Sequence, residues 1–144
     1  MQIGLYANTH GVGYRDDVNN YTRSVPGALL EPVAVAQTAE RNGFHSIWFP
    51  DHVCMPSETS SAHIANQTGA RTYSPRREML DAAVVMGAVA SATSTIKLGT
   101  SVLVAPYRGP LSDARQFATV DVLSGGRLLL GVGAGWMAEE FDAL

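Results

Sequence analysis

The feature that most constrains the fold is a strand pattern followed by a helix pattern, repeated four times. Short apolar runs predict strands at 1–8, 44–49, 96–105 and 127–132. Helical spacing of apolar residues predicts helices at about 30–42, 79–93 and 111–123, and a fourth helix begins after 136. Strands and helices that alternate along the chain with short connections form parallel strands joined by right-handed crossovers. It predicts an α/β fold, either the first half of a parallel β/α barrel or a small doubly wound sheet.

Glycine and proline mark the ends of these elements. Asn42-Gly43 and Ser124-Gly125-Gly126 supply the left-handed residues that end many helices. Pro50 cannot donate to a continuing strand ladder and ends the second strand. The polar stretch at 51–77 is too long for an ordinary connection. We therefore expect it to be a functional loop.

Composition excludes several classes of function. The chain is 46% hydrophobic and 16% charged with a formal charge of −3, and no run of like charges suggests a nucleic-acid or membrane-surface partner. The start of the chain lacks a signal-peptide pattern, which predicts a cytoplasmic protein. The lone Cys54 excludes an internal disulfide and any multi-cysteine zinc site. Small molecules are the expected partners, and redox chemistry would require a bound cofactor.

Ligands of parallel α/β folds gather at the carboxyl ends of the strands. Asp51 and His52 follow the second strand there, and a histidine beside a carboxylate suits acid/base chemistry. The alternative is a pair of solvated loop residues. His10, His45 and His63 are weaker candidates. The histidines show no HxxxH or HExxH spacing, so no metal site is predicted.

The run at 131–135, GVGAG, follows the fourth strand but fails as a dinucleotide fingerprint because its third glycine falls one residue early. Its glycines could let the backbone approach a flat or phosphorylated ligand, or could serve tight packing at the rim. Trp136 could stack on a ligand or cover the rim. Cys54 is expected to be an inert thiol.

Three segments together resemble the luciferase-like flavin and deazaflavin oxidoreductases, most of all the branch that uses coenzyme F420. They are the Asp51-His52 pair, LGTSVLVAPYRGP at 98–110 and QFATVDVLSGGRLLLGVGAGWMAEEF at 116–141. They cover nearly the whole chain in the family's order. The resemblance implies a (β/α)8 barrel of the TIM-barrel type, with 1–144 as its N-terminal half of four strand–helix units. It places the cofactor's tricyclic ring in the barrel mouth.

The resemblance also implies roles for single residues. Asp51 and His52 match the pair beside the reactive face of the ring, which makes both catalytic and Asp51 cofactor-binding as well. His52 would be a base or a hydrogen-bonding partner for the substrate. Ser101 and Val102 match a bulge where family members hold a non-prolyl cis peptide bond against the ring, so we predict a cis bond there.

The fourth strand carries the remaining implied cofactor contacts. They are made by the turn of Gly133, Ala134 and Gly135. Sugar-phosphate dehydrogenases of the family have an acidic proton donor where Trp136 stands, so the resemblance makes glucose-6-phosphate an unsuitable substrate. The long loop at 53–77 is expected to shape the substrate pocket.

The length of the chain leaves alternatives open. A complete barrel has eight strands and about 250 residues, so we expect a truncated barrel with two unpaired strand edges and exposed interior. The favoured interpretation is an oxidoreductase moving a hydride between F420 and a small organic substrate. One alternative is an FMN-dependent monooxygenase, and another is a non-catalytic fragment or partner chain. Relatives are commonly dimeric, which implies a homo-oligomer.

Overall fold

A computed structural model describes residues 1–7, 9, 26–56, 59–61 and 78–144. Its central element is a parallel four-stranded sheet in the order β1-β2-β3-β5, extended by the parallel pair β4-β6. The strands are β1 Gly4–Tyr6, β2 Ser46–Phe49, β3 Lys97–Thr100, β4 Leu103–Val104, β5 Leu128–Leu129 and β6 Val132–Gly133. The helices are α1 Pro32–Arg41, α2 Ala82–Ala92, α3 Pro110–Ser124 and α4 Ala138–Ala143. The predicted α/β fold with parallel strands is confirmed.

The third and fourth predicted strands are each divided in two. β3 pairs with β5 through Leu98 and Leu128, and β4 pairs with β6 through Leu103 and Val132. Between the two pairs, the Thr100 hydroxyl donates to the carbonyl oxygen of Gly131 at 2.8 Å and accepts from its N–H at 3.0 Å. A side chain thus bridges the two strands where the regular ladder is interrupted.

The predicted ends of the helices are also confirmed. Gly43 follows α1 with a φ of 76°, and Gly125 caps α3 with a φ of 68°. Both are left-handed values that glycine adopts without a steric penalty. Asp81 begins α2 by accepting a hydrogen bond from the Val84 N–H at 3.0 Å. The helices therefore start and stop within two or three residues of the predicted bounds.

The core lies between the sheet and the helices. Alternate strand residues such as Ile47, Phe49 and Leu98 are fully buried there and pack with Met86 and Val89 of α2. α2 packs against both α1 and α3. Among the described residues, no helix is both long enough and apolar enough to cross a membrane.

Trp48 occupies the opposite face of the sheet, because successive strand residues point to opposite sides. Its indole lies over Gly99, where an added Cβ would come within 2.2 Å of a ring carbon, and over Gly4, where a Cβ would come within 2.7 Å of Nε1. The indole Nε1 donates to the Ser46 hydroxyl at 2.9 Å. Glycines on both neighbouring strands therefore make room for one large side chain.

A carboxylate of α1 binds the backbone of the segment that leads into β3. Glu40 accepts backbone hydrogen bonds from Ser94, Thr95 and Ile96 at 2.5 to 3.0 Å. Burial works to raise the pKa of Glu40, but these hydrogen bonds outweigh it and lower the pKa to about 2. The ionised carboxylate thereby anchors the loop between α2 and β3.

Candidate active site

Asp51 lies at the carboxyl end of β2, directly after Pro50, and its side chain is 1% exposed. Arg108 donates to both of its carboxylate oxygens at 2.6 Å, and the Val104 N–H donates to Oδ2 at 3.1 Å. The arginine follows the third strand, so the ion pair ties the ends of two neighbouring strands together. A two-pronged arginine contact also fixes the orientation of the carboxylate.

Arg108 sits among further acidic groups. The hydrogen bond to Asp51 raises the pKa of Arg108 above its usual value. Asp81 lies 3.8 Å from the guanidinium, and burial raises the pKa of the nearby Asp113. Sequence reasoning missed this arginine, although it stands in the family-like run at 98–110. The sequence signal that could have identified Arg108 is its position, as a single arginine between the end of a strand and the start of a helix.

His52 makes its hydrogen-bond contact with a different carboxylate. Its Nδ1 atom lies 2.7 Å from Oε2 of Glu140 in α4. The His52 side chain is 8% exposed and that of Asp51 is 1% exposed, so the alternative that Asp51 and His52 are solvated loop residues is wrong. The other oxygen of Glu140 accepts from the N–H groups of Val53, at 2.7 Å, and Cys54, at 3.1 Å. Glu140 therefore holds both the imidazole and the backbone that follows it.

The Glu140 carboxylate is stabilised in its charged form. Burial alone would raise its pKa, but the hydrogen bonds from His52, Cys54 and Val53 and the electrostatic attraction of His52 outweigh it, and the pKa is lowered. Sequence reasoning missed Glu140 because Glu139 stands beside it and only the fold shows which one is buried. Glu139 instead accepts from Ser60 and Ser61 near the surface.

Aromatic and thiol groups surround this pair. Trp136 meets His52 edge to face with ring centroids 6.5 Å apart, which places the tryptophan beside the candidate site. Tyr107 packs against Phe141 with centroids 4.7 Å apart. Burial and then the charge of Glu140 raise the pKa of the Cys54 thiol. A raised pKa is what an inert thiol requires.

The Ser101-Val102 peptide bond is cis, as predicted. Both residues are exposed, and Val102 lies over Gly133, where an added Cβ would come within 2.5 Å of the valine Cγ2. At Gly135 an added Cβ would come within 2.8 Å of Val104. These contacts show that tight packing is one reason for the glycines. Cofactor contacts by 133–135 stay a prediction.

Several sequence candidates lie elsewhere. His10, His63 and most of the long loop fall outside the residues that the structure describes. His45 lies just before β2, at the end opposite Asp51, where its N–H donates to the carbonyl oxygen of Ile3 at 2.9 Å. Of the candidates, the structure brings His52 and Trp136 together. It brings Asp51 to the end of the third strand.

Comparison with known proteins shows which family this sequence resembles. The sequence profile of the luciferase-like monooxygenase family matches residues 2–144. An uncharacterized protein of Mycobacterium tuberculosis is 37% identical over 113 residues, which is 77% of this chain and 39% of the relative. The oxygenase component of the flavin-dependent trigonelline monooxygenase of Acinetobacter baylyi is 30% identical over 114 residues, 79% of this chain and 26% of the relative.

A solved structure extends this similarity. The F420-dependent secondary alcohol dehydrogenase, in complex with an F420-acetone adduct, superposes with a TM-score of 0.62 at 26% identity. The match covers 93% of this chain and 32% of the dehydrogenase. The chain thus spans between about a quarter and two fifths of the length of these three similar proteins.

Proposed function

The chain belongs to the luciferase-like monooxygenase family, and from that premise we propose that it forms the first four strand–helix units of an F420-dependent oxidoreductase. The reaction is the transfer of a hydride between F420 and a small organic substrate. The observation that carries the proposal is the buried His52–Glu140 contact at a strand end, where an imidazole suits proton exchange. The similarity to an F420-dependent alcohol dehydrogenase supports the choice of cofactor.

The residues at the ends of the third and fourth strands suit a planar cofactor. Ser101, Val102 and Ala134 are exposed, and Gly133 has no side chain. Val102 is 42% exposed and lies over Gly133. Around these two residues the surface is apolar, and no large side chain projects from it. A flat ring can approach such a surface closely. In the proposal, Ser101, Val102 and the turn at 133–135 hold the ring.

When bound, F420 supplies the hydride chemistry at its carbon 5. The chain's own residues orient the substrate and handle the proton. His52 exchanges a proton with the substrate through Nε2, because Nδ1 is committed to Glu140. The ion pair of Asp51 with Arg108 holds the Val104 backbone in place, and with it the end of the third strand. A further part for Asp51 in proton handling stays a prediction.

Cofactor titration tests the proposal. We would titrate the purified chain with F420 and with FMN, follow cofactor fluorescence, and measure oligomer mass by light scattering. We expect saturable binding that favours F420. Replacing Gly133 with Val should weaken binding by about tenfold, because the new side chain would change the shape of the ring surface beside Val102. Failure of the folded chain to bind F420 would contradict the proposal.

The proton role of His52 is tested separately by turnover in the presence of F420. His52→Ala should lower the rate of hydride transfer by about 10²- to 10⁴-fold, the usual contribution of one acid/base group. His45→Ala is the matched control, since His45 lies at the other end of β2 and its described contacts are made by its backbone. Equal rates for both variants would remove His52 from the mechanism.

A second candidate function is an FMN-dependent monooxygenase. It is favoured by the 30% identity to the flavin-dependent trigonelline monooxygenase. The same titration separates the two functions. Tighter binding of FMN than of F420, with oxygen consumption by the reduced complex, would favour the monooxygenase.

A further inference from the structure

Glu140 is fully buried, and both of its carboxylate oxygens have hydrogen-bond partners. Oε2 lies 2.7 Å from Nδ1 of His52, and Oε1 accepts from the backbone N–H groups of Val53 and Cys54. The three partners belong to one segment at the end of β2, whereas Glu140 lies 88 residues later in α4. One carboxylate from a distant helix therefore holds a histidine and the main chain beyond it.

We propose that Glu140 is a positioning residue that selects the tautomer of His52. It holds the proton on Nδ1, so that Nε2 is the nitrogen that meets the substrate. The proposal rests on the proposed function, in which His52 exchanges a proton. An ionised carboxylate has only acceptors, so the ring nitrogen that faces it must carry hydrogen. A second-layer partner of this kind is a common way of choosing between the two ring tautomers.

The surroundings keep this carboxylate in its acceptor form. The hydrogen bonds of His52, Cys54 and Val53 lower the pKa of Glu140 despite its burial. Burial, then the hydrogen-bond interaction of its hydroxyl with Glu140 and the charge of that carboxylate, raise the pKa of Tyr107, so the phenol stays neutral. Burial and the charge of Glu140 also raise the pKa of Cys54. Both neighbours of Glu140 are therefore kept in their neutral forms.

The variant Glu140→Gln makes the proposal testable. A glutamine keeps the shape of the side chain but offers one acceptor and one NH₂ group. Its oxygen satisfies two donors if it faces Val53 and Cys54, but only one if it faces His52. We therefore expect the NH₂ group to face Nδ1. Since NH₂ can only donate, the imidazole should lose hydrogen from Nδ1 and carry it on Nε2.

The measurement is ¹⁵N NMR of the histidine side chains in the full chain, at a pH where the two nitrogens of each ring give the separate shifts of a neutral imidazole. We expect Nδ1 of His52 to be protonated in the wild type and unprotonated in Glu140→Gln. Glu139→Gln is the matched control: Glu139 contacts Ser60 and Ser61 instead of the histidine, so Nδ1 should remain protonated. His52→Ala identifies the resonance.

Two results would overturn the proposal. One is an unprotonated Nδ1 of His52 in the wild type, which does not depend on the folding of Glu140→Gln. The other is a protonated Nδ1 in a Glu140→Gln variant whose amide spectrum shows the native fold. The readout uses no cofactor, so it separates the two claims. A tautomer switch in a chain that binds no F420 would support the positioning role and contradict the proposed function.

Discussion

Arg127 provides a stringent test of how the fold is stabilised. It lies immediately before β5 and is 7% exposed, with no carboxylate among its hydrogen-bond partners in the described chain. Its guanidinium uses all five of its N–H donors. The acceptors are the carbonyl oxygens of Ala90, Thr93, Ile96 and Ser124 and the hydroxyl of Thr93, at 2.6 to 3.1 Å. One side chain thus satisfies carbonyls around the C-terminal ends of α2 and α3.

The size of the effect follows from those acceptors. Arg127→Met keeps the unbranched apolar part of the side chain but removes the guanidinium, which leaves four backbone carbonyls and the Thr93 hydroxyl without this donor. At a net value of about 1 kcal/mol for each of the five lost hydrogen bonds, we expect the free energy of unfolding to fall by about 4 to 5 kcal/mol. Arg127→Lys keeps one or two of the five bonds and should therefore lose about 3 to 4 kcal/mol.

Urea unfolding followed by circular dichroism measures this loss. Arg115→Met on the exposed face of α3 is the control and should change the free energy of unfolding by no more than about 0.5 kcal/mol. A loss below about 1 kcal/mol for Arg127→Met, at an unchanged urea dependence, would refute the reasoning. It would mean that the carbonyls find water or other donors once the arginine is gone.

Two further predictions concern packing and pH. Gly99→Ala should lower the free energy of unfolding by about 1 to 3 kcal/mol, because the new methyl group would collide with the Trp48 indole. Gly87→Ala in α2, where a Cβ meets nothing within 4 Å, should instead stabilise the chain by about 0.5 to 1 kcal/mol; equal urea midpoints for the two variants would contradict the packing argument. Glu40→Gln should be less stable than wild type at neutral pH. Because the pKa of Glu40 is lowered from 4.5 to about 2 in the folded chain, that difference should shrink as the pH falls from about 4.5 to about 2, and a pH-independent difference would count against it.

Local pattern was sufficient for the elements of the fold. Apolar runs and helical spacing predicted each of the four strand–helix units because burial on one face depends on periodicity along the chain. Gly43 and Gly125 stand where the predicted helices end, since the left-handed conformation is a local property. The positions of Asp51 and His52 at a strand end also followed from the pattern. The cis bond at Ser101-Val102 came from resemblance to the family and not from periodicity.

The partners of the site residues were decided by the tertiary structure alone. Asp51 meets Arg108 at a separation of 57 residues, and His52 meets Glu140 at 88. No spacing rule identifies such pairs, because they depend on strand order, on register and on the face that α4 turns inward. For the same reason, sequence analysis could treat Asp51 and His52 as one acid/base pair, whereas the fold gives each its own counter-charge. Parallel strands bring their carboxyl ends to one edge of the sheet, and it is that convergence that makes a site from residues far apart in the chain.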